Sequence, residues 1–152
     1  MQSPALRFQH VTKRYGATQV LRGLDLEIGS GEFFGLVGMN GAGKTTLIKC
    51  LLDFCALDGG SIEIFGVSHR LTEARNPLAF LPERFMPPYY LTGQDFLKYM
   101  LKLQSLPYDP LDTAATLGAL DLDFSALARP VRSYSKGMTQ KLGLAACFLA
   151  NK

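Results

Sequence analysis

The sequence predicts an α/β fold: a strand-rich N-terminal third, a glycine-rich loop leading into a helix, and a helical second half. Three observations carry this. Leu24-Asp25-Leu26-Glu27-Ile28 alternates apolar and charged residues, the pattern of a strand with one buried face. Phe33-Phe34-Gly35-Leu36-Val37 is a short continuous apolar run, suited to a strand covered on both faces. Beyond Thr92, apolar residues recur at helical spacing.

The elements follow in order. Leu6-Arg7-Phe8 opens the first strand, and Gly29-Ser30-Gly31 is a turn signal after Ile28. Lys44–Phe54 has helical periodicity. Asp58-Gly59-Gly60 turns into an alternating strand, Ser61–Phe65, with Ile62 and Ile64 on one face. Leu78-Ala79-Phe80-Leu81 is a second buried-type strand, stopped by Pro82. After Pro87-Pro88, Thr92 with Asp95 three residues on marks a helix start. That helix carries Phe96, Leu97, Met100, Leu101 and Leu103 and is broken by Pro107 and Pro110. Leu111–Leu120 is a further helix, and Pro130 ends this block. The last helix begins near Ser135, with Met138, Leu142, Ala145, Ala146 and Leu149 on one stripe.

Composition excludes several classes. The chain has 152 residues, 47% hydrophobic and 19% charged, an ordinary globular balance. Its net charge of +3 is too mild to imply nucleic acid, which needs a dense basic patch. No apolar run approaches the roughly 18 residues that span a bilayer. Met1–Ala5 has no basic region followed by an apolar block, so no secretory signal is read. Cys50, Cys55 and Cys147 lack metal-ligand spacing and read as reduced, mostly buried thiols of a cytosolic protein. Extracellular, fibrous and membrane-spanning readings fall away, and a membrane role requires a partner.

Gly38-Met39-Asn40-Gly41-Ala42-Gly43-Lys44-Thr45 fits the phosphate-loop pattern G-x-x-x-x-G-K-[ST] in full, between a strand-type run and a helix. Glycines at 38, 41 and 43 let the backbone curl with its N–H groups inward. Those donors and the positive end of the helix dipole make an anion-binding nest. Lys44 supplies a mobile charge for the β- and γ-phosphates, and the Thr45 hydroxyl is a hard oxygen ligand suited to Mg2+. Thr46 adds a hydroxyl on the α-phosphate side. The loop by itself specifies a nucleoside triphosphate and no particular reaction.

Gly41-Ala42-Gly43-Lys44-Thr45-Thr46-Leu47, taken with Ser133-Tyr134-Ser135-Lys136-Gly137-Met138-Thr139-Gln140 further on, resembles the nucleotide-binding subunit of an ABC transporter. The resemblance covers essentially the whole chain. It implies an ABC-type P-loop NTPase fold, with an N-terminal antiparallel β-subdomain, a partial parallel core sheet and a helical subdomain. The expected divisions are 1–88 (β-subdomain, phosphate-loop core and Q-loop), 89–132 (helical subdomain) and 133–152 (signature motif and helix). Tyr15, in Val11-Thr12-Lys13-Arg14-Tyr15-Gly16, is similar to the aromatic residue that stacks on adenine. ATP would contact Tyr15 and residues 38–46, namely Gly38, Met39, Asn40, Gly41, Ala42, Gly43, Lys44, Thr45 and Thr46. Ser135, Lys136 and Gly137 occupy the signature motif, which in this family contacts ATP bound to a second, head-to-tail subunit. Ser135 also reads as a helix N-cap.

The chain departs from the family pattern in three places. The commonest signature, LSGGQ, is here Tyr134-Ser135-Lys136-Gly137-Met138, a form resembling bacterial exporter subunits. The Q-loop glutamine is Glu83, in Phe80-Leu81-Pro82-Glu83, and a carboxylate there would join Thr45 as a Mg2+ ligand. The family's Walker B strand with its catalytic Glu, its D-loop and its H-loop histidine are absent from the 152 residues. The expectation is therefore a front portion of an ATPase that binds ATP and Mg2+ without useful hydrolysis, its core strand 33–37 lacking parallel neighbours. The full subunit would work at the cytoplasmic face of the cell membrane on a membrane-spanning permease, in the export direction, with no nucleic acid. Tyr89 and Tyr90 lie where the family docks that permease. A soluble ABC-type ATPase and a non-hydrolysing nucleotide-binding regulator are the alternatives.

Overall fold

The structure, a computed structural model, describes residues 3–151; Met1, Gln2 and Lys152 lie outside the described residues. The chain forms two compact units, one running to Pro77 and the other starting at Leu78.

The first unit is a sheet with one helix packed on it. Strands β1 (Leu6–Tyr15), β2 (Thr18–Ile28), β3 (Gly59–Ile64) and β4 (Val67–Ser68) form an antiparallel sheet in the order β2-β1-β3-β4. The alternation at Leu24, Leu26 and Ile28 becomes the end of β2, paired with Phe8 and Leu6 of β1. Strand β1 is not regular. Phe8 pairs with Leu26 and Val11 with Leu24, so β1 carries one extra residue at Gln9–His10, and the same step recurs against β3. His10 takes φ 49 there and donates its N–H to the Asp25 carboxylate at 2.7 Å. This bulge moves Val11 onto the face of Phe8, and both are buried. Gly60 makes the bulge possible: a Cβ there would collide with the carbonyl oxygens of Gln9 and His10, and its φ is 82.

Helix α1 (Lys44–Leu51) packs Leu47 and Cys50 against Phe8, Val11, Leu21, Leu57 and Ile62. It stops three residues before the expected Phe54. The N–H groups of Asp53 and Phe54 bond back to the carbonyls of Cys50 (3.0 Å) and Lys49 (2.8 Å), with Asp53 at φ 61. That is a Schellman closure with aspartate in the left-handed position.

The second unit is helical. Helix α2 (Gly93–Leu103) is capped by Thr92, whose hydroxyl oxygen accepts from Asp95 N–H at 3.1 Å. Helix α3 (Pro110–Ala119) is capped by Asp109 and has Pro110 in its first turn, where a missing N–H costs nothing. Helix α4 (Lys136–Leu149) is capped by Ser135, which accepts from Met138 N–H at 3.2 Å. Their apolar stripes meet in a core of Phe96, Leu97, Leu117, Leu142, Ala145 and Ala146, closed by Leu122, Ala126, Leu127 and Val131.

Two expected strands do not form. Residues 33–37 and 78–81 pair with no strand among the described residues. Phe33 and Val37 stand 107% and 93% exposed. A run apolar on both faces is a stable strand only between neighbours that take its backbone hydrogen bonds and its side chains. The described sheet is wholly antiparallel, and residues 33–37 pair with neither of its edge strands, β2 and β4. The expected parallel core is thus present as apolar sequence without its ladder, while the antiparallel and helical parts of the expectation are formed.

Leu117 is fully buried and Leu111, on the same helix, is 80% exposed. Leu117→Ala should lower stability by about 2–5 kcal/mol through loss of packing and the cavity it leaves. Leu111→Ala should change it by less than about 0.5 kcal/mol. Urea unfolding followed by circular dichroism checks the difference.

Candidate functional site

The glycine loop is placed by α1. Leu47 anchors the helix in the core, and its N–H bonds to the Gly43 carbonyl at 2.8 Å, closing the first turn. Gly43 is the N-cap, with φ 95 and ψ 2. A side chain there would press on Val20 and Leu21, so both conformation and space require glycine. Gly41 is also left-handed, at φ 85, and Ala42 N–H bonds to the Met39 carbonyl at 3.2 Å. The loop is a tight, exposed curl of backbone.

Helix α1 has no side-chain cap and no acidic residue in its first turn. Helices α2, α3 and α4 are each capped by a hydroxyl or carboxylate. The first N–H groups of α1, with the positive end of its dipole, are left for an outside anion. The Lys44 ammonium arches back over the loop and donates to the carbonyls of Gly38 at 2.6 Å and Met39 at 2.8 Å. Thr45 is exposed and Thr46 half-buried. An open cleft of about 560 Å3 lies between residues 18–24 of β2 and the loop at Gly41 and Ala42.

Tyr15 ends β1 on the face that α1 covers, 49% exposed. Its hydroxyl donates to the Cys55 thiol at 3.7 Å. That contact holds the phenol above its ordinary pKa, while a hydrogen bond with the Thr46 side chain acts in the opposite direction. Lys13, two residues back on the strand, sets its ammonium 5.4 Å from the Tyr15 ring centroid, within cation–π range. Asp58 anchors this strand end. Its carboxylate accepts from Arg14 N–H at 2.5 Å and from the Lys13 ammonium at 3.4 Å. The Arg14 bond first, and then Lys13, hold Asp58 below the usual carboxylate range.

In the second unit, Ser135, Lys136 and Gly137 form the exposed N-terminus of α4. Ser135 Oγ accepts from Met138 N–H, which leaves its own O–H proton available to donate. Glu83 lies in irregular chain with its side chain exposed. Its backbone carbonyl accepts from Gln140 Nε2 at 3.1 Å, which ties the segment to α4.

The structure therefore gathers Tyr15, residues 38–46 and Thr46's neighbours in one unit, and Glu83 with Ser135–Gly137 in the other. Sequence reading missed Lys13, Asp58, Cys55 and Gln140. Lys13 had a signal, since it shares strand parity with Tyr15. Asp58 and Cys55 are placed by turns that no periodicity encodes, and Gln140 stands one helical turn beyond Lys136 on α4.

Residues 21–152 match the family model described as ABC transporter. YdbJ of Bacillus subtilis, an ABC transporter ATP-binding protein, is 34% identical over 155 residues, covering 98% of this chain and 48% of YdbJ. The daunorubicin resistance ATP-binding protein DrrA2 of Streptomyces coeruleorubidus is 35% identical over 153 residues, covering 98% of this chain and 47% of DrrA2. A solved structure from Pyrococcus furiosus, described as an ABC transporter ATP-binding protein, superposes with a TM-score of 0.84 at 25% identity, over 95% of this chain and 70% of that one. The chain spans about half the length of the curated relatives it matches. No helix among the described residues is long and apolar enough to cross a membrane. A glycine-rich loop on an uncapped helix, an antiparallel sheet packed on that helix and a serine-capped last helix agree with these matches: the chain belongs to the ABC transporter family, among its ATP-binding proteins.

Proposed function

We propose that this chain is the ATP-binding part of a subunit that couples ATP binding and hydrolysis, in a full-length dimer, to export through a membrane-spanning permease. The observation that carries the reading is the uncapped N-terminus of α1 behind left-handed Gly43, with Lys44 folded over it. Its backbone donors fit an anion, and the residue types around it fit a nucleoside triphosphate.

Each residue has a role that its chemistry permits. The N–H groups of the loop, Gly38, Met39, Asn40, Gly41, Ala42 and Gly43, and of the first turn of α1 take the phosphate oxygens. Lys44 exchanges the neutral carbonyls of Gly38 and Met39 for phosphate oxygens, and charge-assisted bonds to phosphate are roughly twice as strong. Thr46 donates on the α-phosphate side, and Tyr15 stacks on adenine with Lys13 beside it. Bound Mg2+ would neutralise phosphate charge, and Thr45 would hold it through its hydroxyl; the exposed carboxylate of Glu83 has the chemistry of a further Mg2+ ligand. Among the described residues no three His, Cys, Asp or Glu side chains gather as a metal cage. Mg2+ bound with a nucleotide keeps waters and phosphate oxygens as most of its ligands. Ser135, Lys136 and Gly137 face solvent and would donate to ATP held by the second subunit, Ser135 through its free hydroxyl proton.

Export is favoured by the Tyr134-Ser135-Lys136-Gly137-Met138 signature. The relatives' names include daunorubicin resistance, lantibiotic transport and bacitracin transport proteins, and also a sn-glycerol-3-phosphate import protein. The exposed, edge-to-face pair Tyr89 and Tyr90 would meet the permease. The working place is then the cytoplasmic face of the membrane.

Lys44→Ala should weaken Mg-ATP binding more than about tenfold, because a charged hydrogen bond to phosphate is lost. Isothermal titration measures this, and equal binding would remove the site. Ser135→Arg should leave binding by the single chain unchanged and block ATP-dependent pairing of full-length subunits in sedimentation velocity. Loss of binding in the single chain would contradict a role across the interface.

A further inference from the structure

Beside the phosphate loop lies a pair of thiols. Cys50, in the last turn of α1, is fully buried; Cys55, just past the helix, is part-buried, and the two sulfurs are 3.4 Å apart. The backbone enforces the approach. The Schellman closure at Asp53 turns the chain back on itself, and Arg75 holds the Asp53 carboxylate at 3.4 Å. On its other side Cys55 Sγ accepts the Tyr15 hydroxyl proton. Both sulfurs are free thiols.

We propose that Cys50 and Cys55 are a two-thiol oxidation site that takes a peroxide and closes to an intramolecular disulfide, weakening nucleotide binding through Tyr15. The link to binding rests on the reading of Tyr15 and the loop given above; the oxidation itself does not. The part-buried Cys55 sulfur, as thiolate, attacks one peroxide oxygen. The O–O bond breaks, a sulfenic acid forms on Cys55, and the departing hydroxide takes a proton to become water. The Cys50 sulfur then attacks the Cys55 sulfur, the S–O bond breaks, and the second hydroxide leaves with the Cys50 proton as water. Two thiols lose two electrons, and one peroxide gains them.

The order of the steps follows from the surroundings. Burial first, and then the adjoining Cys55 thiol, push the Cys50 thiol up to about 12. Cys50 therefore stays protonated and is the poor first nucleophile, because the thiolate is the reactive form. Closing the sulfurs from 3.4 Å to a bond length of about 2.05 Å draws Cys55 away from Tyr15. The phenol then loses its thiol acceptor beside Thr46 and the loop.

The test treats the full chain with hydrogen peroxide, alkylates it under denaturing conditions and digests it with trypsin. Both cysteines fall in one peptide, residues 50–70. That peptide should lose two hydrogens and take up no alkyl group, dithiothreitol should restore both sites, and Cys147 should remain alkylated. Cys55→Ser should leave Cys50 fully alkylated after the same treatment. Oxygen retained on Cys55 with Cys50 alkylated, or a disulfide between two chains, overturns the site. Oxidised chain should bind Mg-ATP about two- to tenfold more weakly than reduced chain, the span of one ordinary hydrogen bond, and Cys55→Ser should show no peroxide effect. Unchanged affinity with the disulfide in place overturns the coupling. Equal binding by Lys44→Ala and wild type in the same assay marks failure of the nucleotide site instead, with the peptide mass unaffected.

Discussion

The extra residue at Gln9–His10 in β1 decides what stands beside the phosphate loop. Without it, strict alternation would put Phe8, His10 and Thr12 on one face. With it, Phe8 and Val11 share the buried face, and Lys13 and Tyr15 follow them. That face is the one α1 packs on, so the same step that completes the core also brings Tyr15 to Thr46. The step depends on Gly60, the position on β3 where no Cβ fits against the bulged carbonyls. A glycine far from the loop in sequence therefore governs the geometry of the site.

The helix N-termini divide by task. Helices α2, α3 and α4 take a side-chain cap, worth about 1 kcal/mol each. Helix α1 forgoes it and puts left-handed Gly43 there instead. Departure from a local stability rule at one of the four described α-helices is the mark expected of a functional site. Burial of Leu47 and Cys50 against the sheet offsets what the cap would have contributed. Ser135 on α4 caps with its oxygen while its hydroxyl proton stays free to donate.

Much of this was legible in the sequence. Alternation located β2 and β3, Thr92 and Ser135 announced their helices, and the glycine spacing gave the loop residue by residue. Other features were hidden for physical reasons. The runs 33–37 and 78–81 have strand-type composition, but a strand needs partners, and composition does not report whether they are there. The end of α1 at Leu51 depends on Asp53 adopting a left-handed conformation that its residue type only permits. The bulge and the Asp58 anchor are consequences of tertiary pairing, and the approach of Cys55 to Cys50 follows from the same left-handed turn at Asp53.

The central claim is that a nucleotide's phosphate chain is held by the backbone of residues 38–46. Titrating the 15N-labelled chain with ATP, ADP and AMP, each with Mg2+, tests it at the donors themselves. The account predicts that the amide signals of Gly41, Ala42, Gly43, Lys44, Thr45 and Thr46 move most, and that affinity falls as phosphates are removed. Shifts confined to other residues, or equal affinity for ATP and AMP, would contradict it.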